Sequence, residues 1–419
     1  MKLEKSNNLL ELSKRFIPGG NTFNKTNYFD QGKTPFSLSH GKGVKVWDID
    51  GNPYTDFILG LGSISLGYCF DEIDTAIEEQ IKNGMSFSLS HPLELQVTQK
   101  LVDKIPCAEM VRFGKNGSDV LTAAVRLARY ITQRDHVVYC GYHGWHDWCI
   151  AQTSRPGGIP EIVRDLSHRF IFNDIDSLHT LIKQLNGKIS CIVMDVVARY
   201  YPVPGFLEEV RELSRKHSIL LIFDEIITGL RMQKGSAQAF FNVIPDLACF
   251  GKALGNGMPL SALVGKSNYM RRMDEMYYSL TFSGESLSLA AANATLDFYN
   301  KVNVPNELYT KGSVLRKGLE KLLIEQELDK IFEIQGMPSR PILGYKNKVE
   351  SDFLNRDNKN KDELISLIIQ QLCNRGILTN LSFFISYSHT LEDIDYLLNC
   401  FNEVCALVRK EIRKNRILV

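Results

Sequence analysis

Ile219-Leu220-Leu221-Ile222-Phe223-Asp224-Glu225 sets five apolar residues in a row against two carboxylates. Such a run, bounded by charge, is the pattern of a strand buried on both faces of a sheet. In open α/β sheets, ligands bind outside the carboxyl ends of the strands, so Asp224 is expected to face a ligand crevice. Upstream, Phe206, Leu207, Val210, Leu213 and Ser214 recur at helical spacing with charges opposite. Downstream, the apolar run 247–250 leads into Gly251-Lys252-Ala253-Leu254-Gly255-Asn256-Gly257-Met258-Pro259. Strand and helix alternating in this way imply parallel βαβ units and a sheet covered on both faces.

The alternation extends in both directions. Short apolar runs at 137–140, 170–172, 189–194, 219–223, 247–250 and 262–264 read as strands between helix-length amphipathic segments. Ahead of them come a short helix, a loop at Pro18-Gly19-Gly20, and a hairpin that turns at Asp50-Gly51-Asn52-Pro53. After about residue 305 the helices become longer and more charged, with short strands expected at 331–334 and 383–387. Residues 346–361 read as a polar connection. The expected organisation is an N-terminal segment (1–65), a large α/β domain (66–305) and a C-terminal α+β lobe (306–419).

Composition narrows the function classes. The chain has 419 residues, 49 lysines plus arginines and 48 acidic residues, a net charge of +1. Near-neutral charge argues against a nucleic-acid binder that relies on a basic surface. No apolar stretch is long enough to span a membrane, since Asp224 and Glu225 interrupt the best run. Met1 to Asn7 lacks the apolar core of a signal peptide. The nine cysteines form no C-x-x-C pair and several sit in apolar runs. They read as buried reduced thiols of a cytoplasmic protein.

Asp224 and Lys252 carry the chemistry. A lysine and an aspartate at the ends of two strands suit pyridoxal 5′-phosphate. The lysine forms a Schiff base, and the aspartate keeps the pyridine nitrogen protonated so that the ring draws electrons. The same residues also suit a surface lysine beside a flexible loop and an aspartate capping a helix. Asn116-Gly117-Ser118-Asp119 precedes an amphipathic helix, where backbone N–H groups and a hydroxyl can meet a phosphate. Plain helix capping explains the same residues. Neither G-x-x-x-x-G-K-[ST] nor G-x-G-x-x-G occurs, so nucleotide motifs give no support to hydrolysis or dinucleotide binding. Tyr142-His143-Gly144-Trp145-His146 follows the strand at 137–140 and offers an aromatic ring to stack on a flat ligand. A zinc site at His143, His146 and Asp147 lacks a completing histidine or cysteine pair, so no metal is expected.

Taken together, these segments resemble the class III pyridoxal-phosphate aminotransferases of fold type I, nearest to the glutamate-1-semialdehyde aminomutase-like branch. The resemblance runs from Ile17-Pro18-Gly19-Gly20 to His389-Thr390-Leu391-Glu392-Asp393. It is carried by Asn116-Gly117-Ser118-Asp119, Tyr142-His143-Gly144, Asp224-Glu225-Ile226-Ile227-Thr228-Gly229, Gly251-Lys252 with Gly257-Met258-Pro259, and Thr281-Phe282-Ser283-Gly284. The resemblance implies a large, mostly parallel sheet flanked by helices, plus a smaller α+β lobe from the N- and C-terminal segments. It implies that Lys252 is the Schiff-base lysine and proton carrier. Asp224 would pair with the pyridine nitrogen, Ile226 would pack on one ring face, and Tyr142 would cover the other with His143 beside it. Gly117 and Ser118 would bind the phosphate, with Asn116 also among the cofactor-binding residues. Thr281 would reach the phosphate in a neighbouring subunit, which implies a homodimer with shared sites.

Three departures bear on the substrate. Asp195-Val196 stands where the family commonly has Glu-Pro. The loop Asn21-Thr22-Phe23-Asn24-Lys25 lacks the arginine that an aminomutase places near here. Asn380-Leu381-Ser382-Phe383-Phe384 lacks an expected glutamate. Carboxylate recognition favours a bidentate arginine, whereas Thr22, Asn24, Asn380 and Ser382 offer hydroxyl and amide groups. Arg340 is a counter-candidate for binding a carboxylate. The expected activity is amino transfer from an amino donor to a carbonyl compound, with a keto sugar of surface-polysaccharide or modified-sugar synthesis as the expected acceptor. The alternatives are an intramolecular aminomutase and a non-catalytic protein that kept the fold.

Overall fold

Asp48 organises the first hairpin. Its Oδ1 accepts hydrogen bonds from the backbone N–H groups of Asp50 (3.0 Å) and Asn52 (2.8 Å), and its Oδ2 accepts from the Tyr54 hydroxyl at 2.8 Å. These bonds fix the turn between β2 (Lys45–Asp48) and β3 (Pro53–Asp56), with β1 (Leu38–Lys42) antiparallel on the far side of β2. The computed structural model describes residues 1–21, 33–346 and 359–415. Thr22, Asn24 and most of the polar connection at 346–361 lie outside the described residues.

The chain divides into two units. One is Asp71–Asn306; the other combines Met1–Phe70 with the described residues from Glu307 onward. The first unit holds a seven-stranded sheet: β4 (Met110–Gly114), β5 (His136–Cys140), β6 (Ser167–Arg169), β7 (Ile189–Asp195), β8 (Leu220–Asp224), β9 (Leu247–Phe250) and β10 (Ser261–Gly265). The order is β4-β10-β9-β8-β7-β5-β6. From β9 to β6 every pairing is parallel, while β10 runs antiparallel to both β9 and β4. This is the α/β architecture with a mostly parallel sheet.

The sheet is buried because both faces are covered. Val137, Tyr139, Cys191, Val193, Ile222 and Cys249 pack against Val120, Ala123, Ala124 and Leu127 of the helix Gly117–Thr132. Each large side chain buried in this way contributes about 1.5–3 kcal/mol. The helix Phe206–Lys216 buries the expected Phe206, Leu207, Val210, Leu213 and Ser214. At its inner face, Arg211 forms a bidentate pair with Asp246 (2.7 and 2.8 Å), and both are buried.

Two expectations shift. The strand expected at 170–172 is Ser167–Arg169, because those residues pair with Val137–Tyr139. Phe170 continues with one bond to the Tyr139 carbonyl, after which Phe170 and Phe172 serve as core side chains. Apolar content marked burial there, not strand. In the second unit, β11 (Phe332–Gln335) and β12 (Ile342–Tyr345) form a hairpin, and β13 (Ile377–Leu378) pairs parallel with β3. Residues 383–387 are no strand. The N–H groups of Phe383, Phe384, Ile385 and Tyr387 go to the carbonyls of Pro341, Phe57, Ser339 and Ser65, and that of Ser386 goes to His389 Nδ1, so no single partner strand forms.

Candidate active site

Asp224 is the last residue of β8, and it is buried. Its Oδ1 accepts from the Ile226 N–H at 3.0 Å, and its Oδ2 meets His143 Nδ1 at 2.7 Å. His143 Nε2 lies 2.8 Å from the Cys140 carbonyl oxygen. The Cys140 carbonyl can only accept, so Nε2 donates, and the Asp224 carboxylate at Nδ1 favours a second proton there, which makes the ring an imidazolium. Burial acts to lower the His143 pKa, but the hydrogen bond and charge of Asp224, aided by Asp195, outweigh it and the net shift is upward. The Trp148 ring lies parallel to His143 at 6.0 Å, and Cys149 Sγ accepts from the His143 N–H at 3.3 Å. Burial pushes the Cys149 thiol up to about 12, so it stays neutral.

Lys252 follows β9, the parallel neighbour of β8. Asp224 is in register with Cys249, so lysine and aspartate leave the same edge of the sheet on adjacent strands. Lys252 has φ +46°, in the left-handed region. A residue with a Cβ costs roughly 1–2 kcal/mol there. Such stored strain recurs at functional sites.

The loop before the helix Gly117–Thr132 is fixed from several sides. Asp119 Oδ2 accepts from the Asn116 N–H at 2.7 Å, and the Ser261 hydroxyl donates to the Asn116 carbonyl at 2.9 Å. Lys115 Nζ lies 2.9 Å from Glu285 Oε2 and 3.1 Å from the Ser288 hydroxyl. Ile226 sits between two glycines: a Cβ on Gly117 would lie 3.1 Å from its Cδ1, and one on Gly251 would lie 3.2 Å away. Gly144, at φ +104°, comes close enough to Ser118 that a Cβ would fall 2.0 Å from the hydroxyl oxygen. Hence Gly117, Ser118, Gly144, Ile226 and Gly251 form one close-packed cradle beside Asp224.

Tyr142 is half-buried, its N–H donates to Asp195 Oδ2 at 3.3 Å, and burial raises its hydroxyl pKa. Thr281 lies on an exposed turn before the helix Ser286–Lys301. His143 does not group with His146, whose Nδ1 meets the Thr122 hydroxyl at 2.7 Å. Its acidic neighbours are instead Asp195 and Asp224, with one potential ligand atom from each of the three within 4.8 Å of the others. With both nitrogens of His143 spent on hydrogen bonds, this cluster has no imidazole lone pair to offer a cation. Sequence reasoning missed this grouping and the Lys115–Glu285 link.

A fold of this topology, with a lysine and an aspartate at the carboxyl ends of neighbouring strands, defines a fold type I pyridoxal-phosphate enzyme. The class III aminotransferase family matches residues 28–402, and the chain belongs to that family. It is 36% identical to the 3-aminobutyryl-CoA aminotransferase of Cloacimonas acidaminovorans, over 98% of this chain and 99% of that one. It is 32% identical to the glutamate-1-semialdehyde 2,1-aminomutase of Methanosphaera stadtmanae, covering 95% and 97% of the two chains. An omega-transaminase from Sphaerobacter thermophilus superposes with a TM-score of 0.87 at 26% identity, covering 96% of this chain and 98% of that one. The protein is therefore a pyridoxal-phosphate-dependent aminotransferase of class III. Among the described residues, no helix is long and apolar enough to cross a membrane.

Proposed function

We propose that the chain moves an amino group from an amino donor to a separate carbonyl acceptor, with Lys252 as the catalytic residue. The carrying observation is the placement of Lys252, in left-handed backbone, just past the end of the strand next to that of Asp224. The residues at this edge of the sheet suit the cofactor. Asp224 takes one donor on each carboxylate oxygen, which leaves lone pairs for a ring N–H. The glycine cradle brings the N-terminus of the helix Gly117–Thr132 within reach of a phosphate, where Asn116, Gly117 and Ser118 would bind it. Ile226 would pack on one ring face and Tyr142 on the other. When bound, the cofactor supplies an electron sink for a carbanion at the substrate carbon. Lys252 Nζ then takes the proton from the substrate carbon and returns it elsewhere, as general base and general acid. His143 holds the Asp224 carboxylate in place.

The working unit in this proposal is a cytoplasmic homodimer. Met85, Phe87, Leu89 and Phe282 are exposed apolar side chains, and Ser286 N–H bonds the Met85 carbonyl at 2.8 Å. That bond joins the segment 85–89 to the turn bearing Thr281 and Phe282. An apolar patch of this kind marks an interface, and Thr281 would reach the partner's phosphate site from it.

For the acceptor, glutamate semialdehyde is disfavoured by the departures at 21–25 and 380–384. The hydroxyl and amide groups that pointed to a keto sugar of surface-polysaccharide synthesis are partly spent. Ser382 Oγ accepts from Arg340 Nε at 2.8 Å, and Asn380 Oδ1 accepts from the Ser382 N–H at 3.2 Å. The name of the relative at 36% identity instead favours a 3-amino acyl thioester and its 3-oxo partner. A half-reaction panel, read by the cofactor's change of absorbance, tests the reading. Amino donors should convert the cofactor to its amine form, and only a separate carbonyl compound should restore it. Turnover of glutamate semialdehyde to 5-aminolevulinate with no donor added would instead establish the aminomutase. Failure of every donor to change the spectrum would overturn the assignment of donor-to-acceptor transfer through Lys252.

A further inference from the structure

We propose that Asp195 is a positioning residue that balances charge around Asp224, so that His143 and the cofactor's ring nitrogen keep their protons together; this rests on the cofactor placement proposed above. His143 already brings one positive charge to Asp224, through the 2.7 Å contact at Oδ2. A protonated ring nitrogen on the remaining lone pairs brings a second. Two cations on one carboxylate leave an uncompensated positive charge in a buried site, and such a site responds by releasing a proton.

Asp195 supplies the missing charge. It ends β7 directly beside Asp224, its partner in register. One carboxylate oxygen of each aspartate and one nitrogen of His143 lie within 4.8 Å of one another. Two carboxylates then face two cations. The local backbone is shaped for this: Gly141 has φ +99°, and a Cβ there would fall 2.4 Å from Asp195 Oδ2. The shorter aspartate stands where the family commonly has a glutamate.

Among the described acidic groups, Asp195 is the one that joins His143 and Asp224, while Arg169, whose charge reaches Tyr139 and Cys149, and Lys252 just past the end of the next strand are cations and add to the need for it. Tyr139 presents its ring edge to His143 from β5, Cys149 touches the His143 N–H, and Cys249 lies beside Asp224 on β9. Burial raises the pKa of all three, so they are uncharged near neutrality. Tyr142 is raised as well, and Trp148 does not titrate.

The test is 15N NMR of histidine-labelled protein, apo and reconstituted with cofactor labelled at the ring nitrogen. His143 signals are identified by difference from His143→Gln. In the wild type, both His143 nitrogens and the ring nitrogen should remain protonated at pH 8. In Asp195→Asn, His143 or the ring nitrogen should lose its proton at least one pH unit lower, since unit charges about 5 Å apart at an effective dielectric of about 20 interact by roughly two pK units. Asp195→Glu should recover most of the shift. A neutral His143 in the wild type at pH 7.5, or an Asp195→Asn titration identical to wild type, overturns the charge balance. If the wild type binds no cofactor, the placement itself fails, which is a separate outcome from an unmoved titration.

Discussion

His143 and Asp224 are joined at 2.7 Å although one lies in the loop after β5 and the other ends β8, 81 residues apart. The histidine donates from both nitrogens, so it acts as a charged clamp on the carboxylate. Asp224→Asn keeps the shape but removes the charge. Proton transfer at the substrate carbon should slow by on the order of 100-fold or more, while cofactor affinity changes far less. Stopped-flow half-reactions measure the first and equilibrium titration the second. Near-normal half-reaction rates in the variant would remove Asp224 from the mechanism.

The same clamp predicts a pH dependence of stability. The folded pKa of His143 is raised above its unfolded value of about 6.5. Its stabilisation is therefore complete below about pH 6.5 and is lost as pH rises through the raised folded value. Thermal melts of apo wild type and His143→Gln should differ most in mild acid, and the gap should narrow in alkali. A gap that widens with pH contradicts a charged His143.

Lys252→Ala should lower turnover at least about 1,000-fold, because it removes both the nucleophile and the proton carrier. The cradle of Gly117, Ser118, Gly144 and Ile226 is untouched, so the variant should still bind cofactor non-covalently. Borohydride reduction of the wild type should fix the cofactor on Lys252. Peptide mass spectrometry showing the adduct on Lys115 or Lys234 would disprove the assignment.

What the sequence disclosed was what its local pattern carries. The run 219–225 shows a buried strand with its functional end, and Gly251-Lys252 shows a lysine in a tight turn. Asp195 could be seen only as a departure. Its meeting with His143 and Asp224 depends on β5, β7 and β8 lying side by side, and strand order is not written in any local pattern. The Lys115–Glu285 link spans 170 residues and was hidden for the same reason. At 383–387 a short apolar segment predicted a strand, but its N–H groups go to acceptors scattered over several turns.

Arg211 and Asp246 make a structural prediction far from the chemistry. Asp246 accepts two bonds from the guanidinium and one from the Leu221 N–H at 2.8 Å. Breaking a buried pair from one side leaves the other charge unpaired, at a cost of about 3–5 kcal/mol. Asp246→Asn should therefore lower the urea midpoint strongly, with little change in cofactor absorbance of the protein that stays folded. An unchanged midpoint would show that the pair adds nothing to stability.

Thr281 decides whether the sites are shared. It is exposed and stands beside the patch of Met85, Phe87, Leu89 and Phe282. If it serves the partner's phosphate, each site takes Lys252 from one subunit and Thr281 from the other. Lys252→Ala removes the first contribution, and Thr281→Asp spoils the second by placing a negative charge against the phosphate. Each variant alone should be nearly inactive. In a hybrid dimer, one site collects both defects and the other collects none. Random reassortment makes half of the dimers hybrids with one good site each, so the mixture should recover about a quarter of wild-type specific activity. Mixing after mild dissociation, followed by assay and sedimentation, measures this. If Thr281 instead serves its own subunit, every site in the hybrid is defective and no activity returns. A fully active monomer would also exclude sharing, since no partner would be present to complete the site.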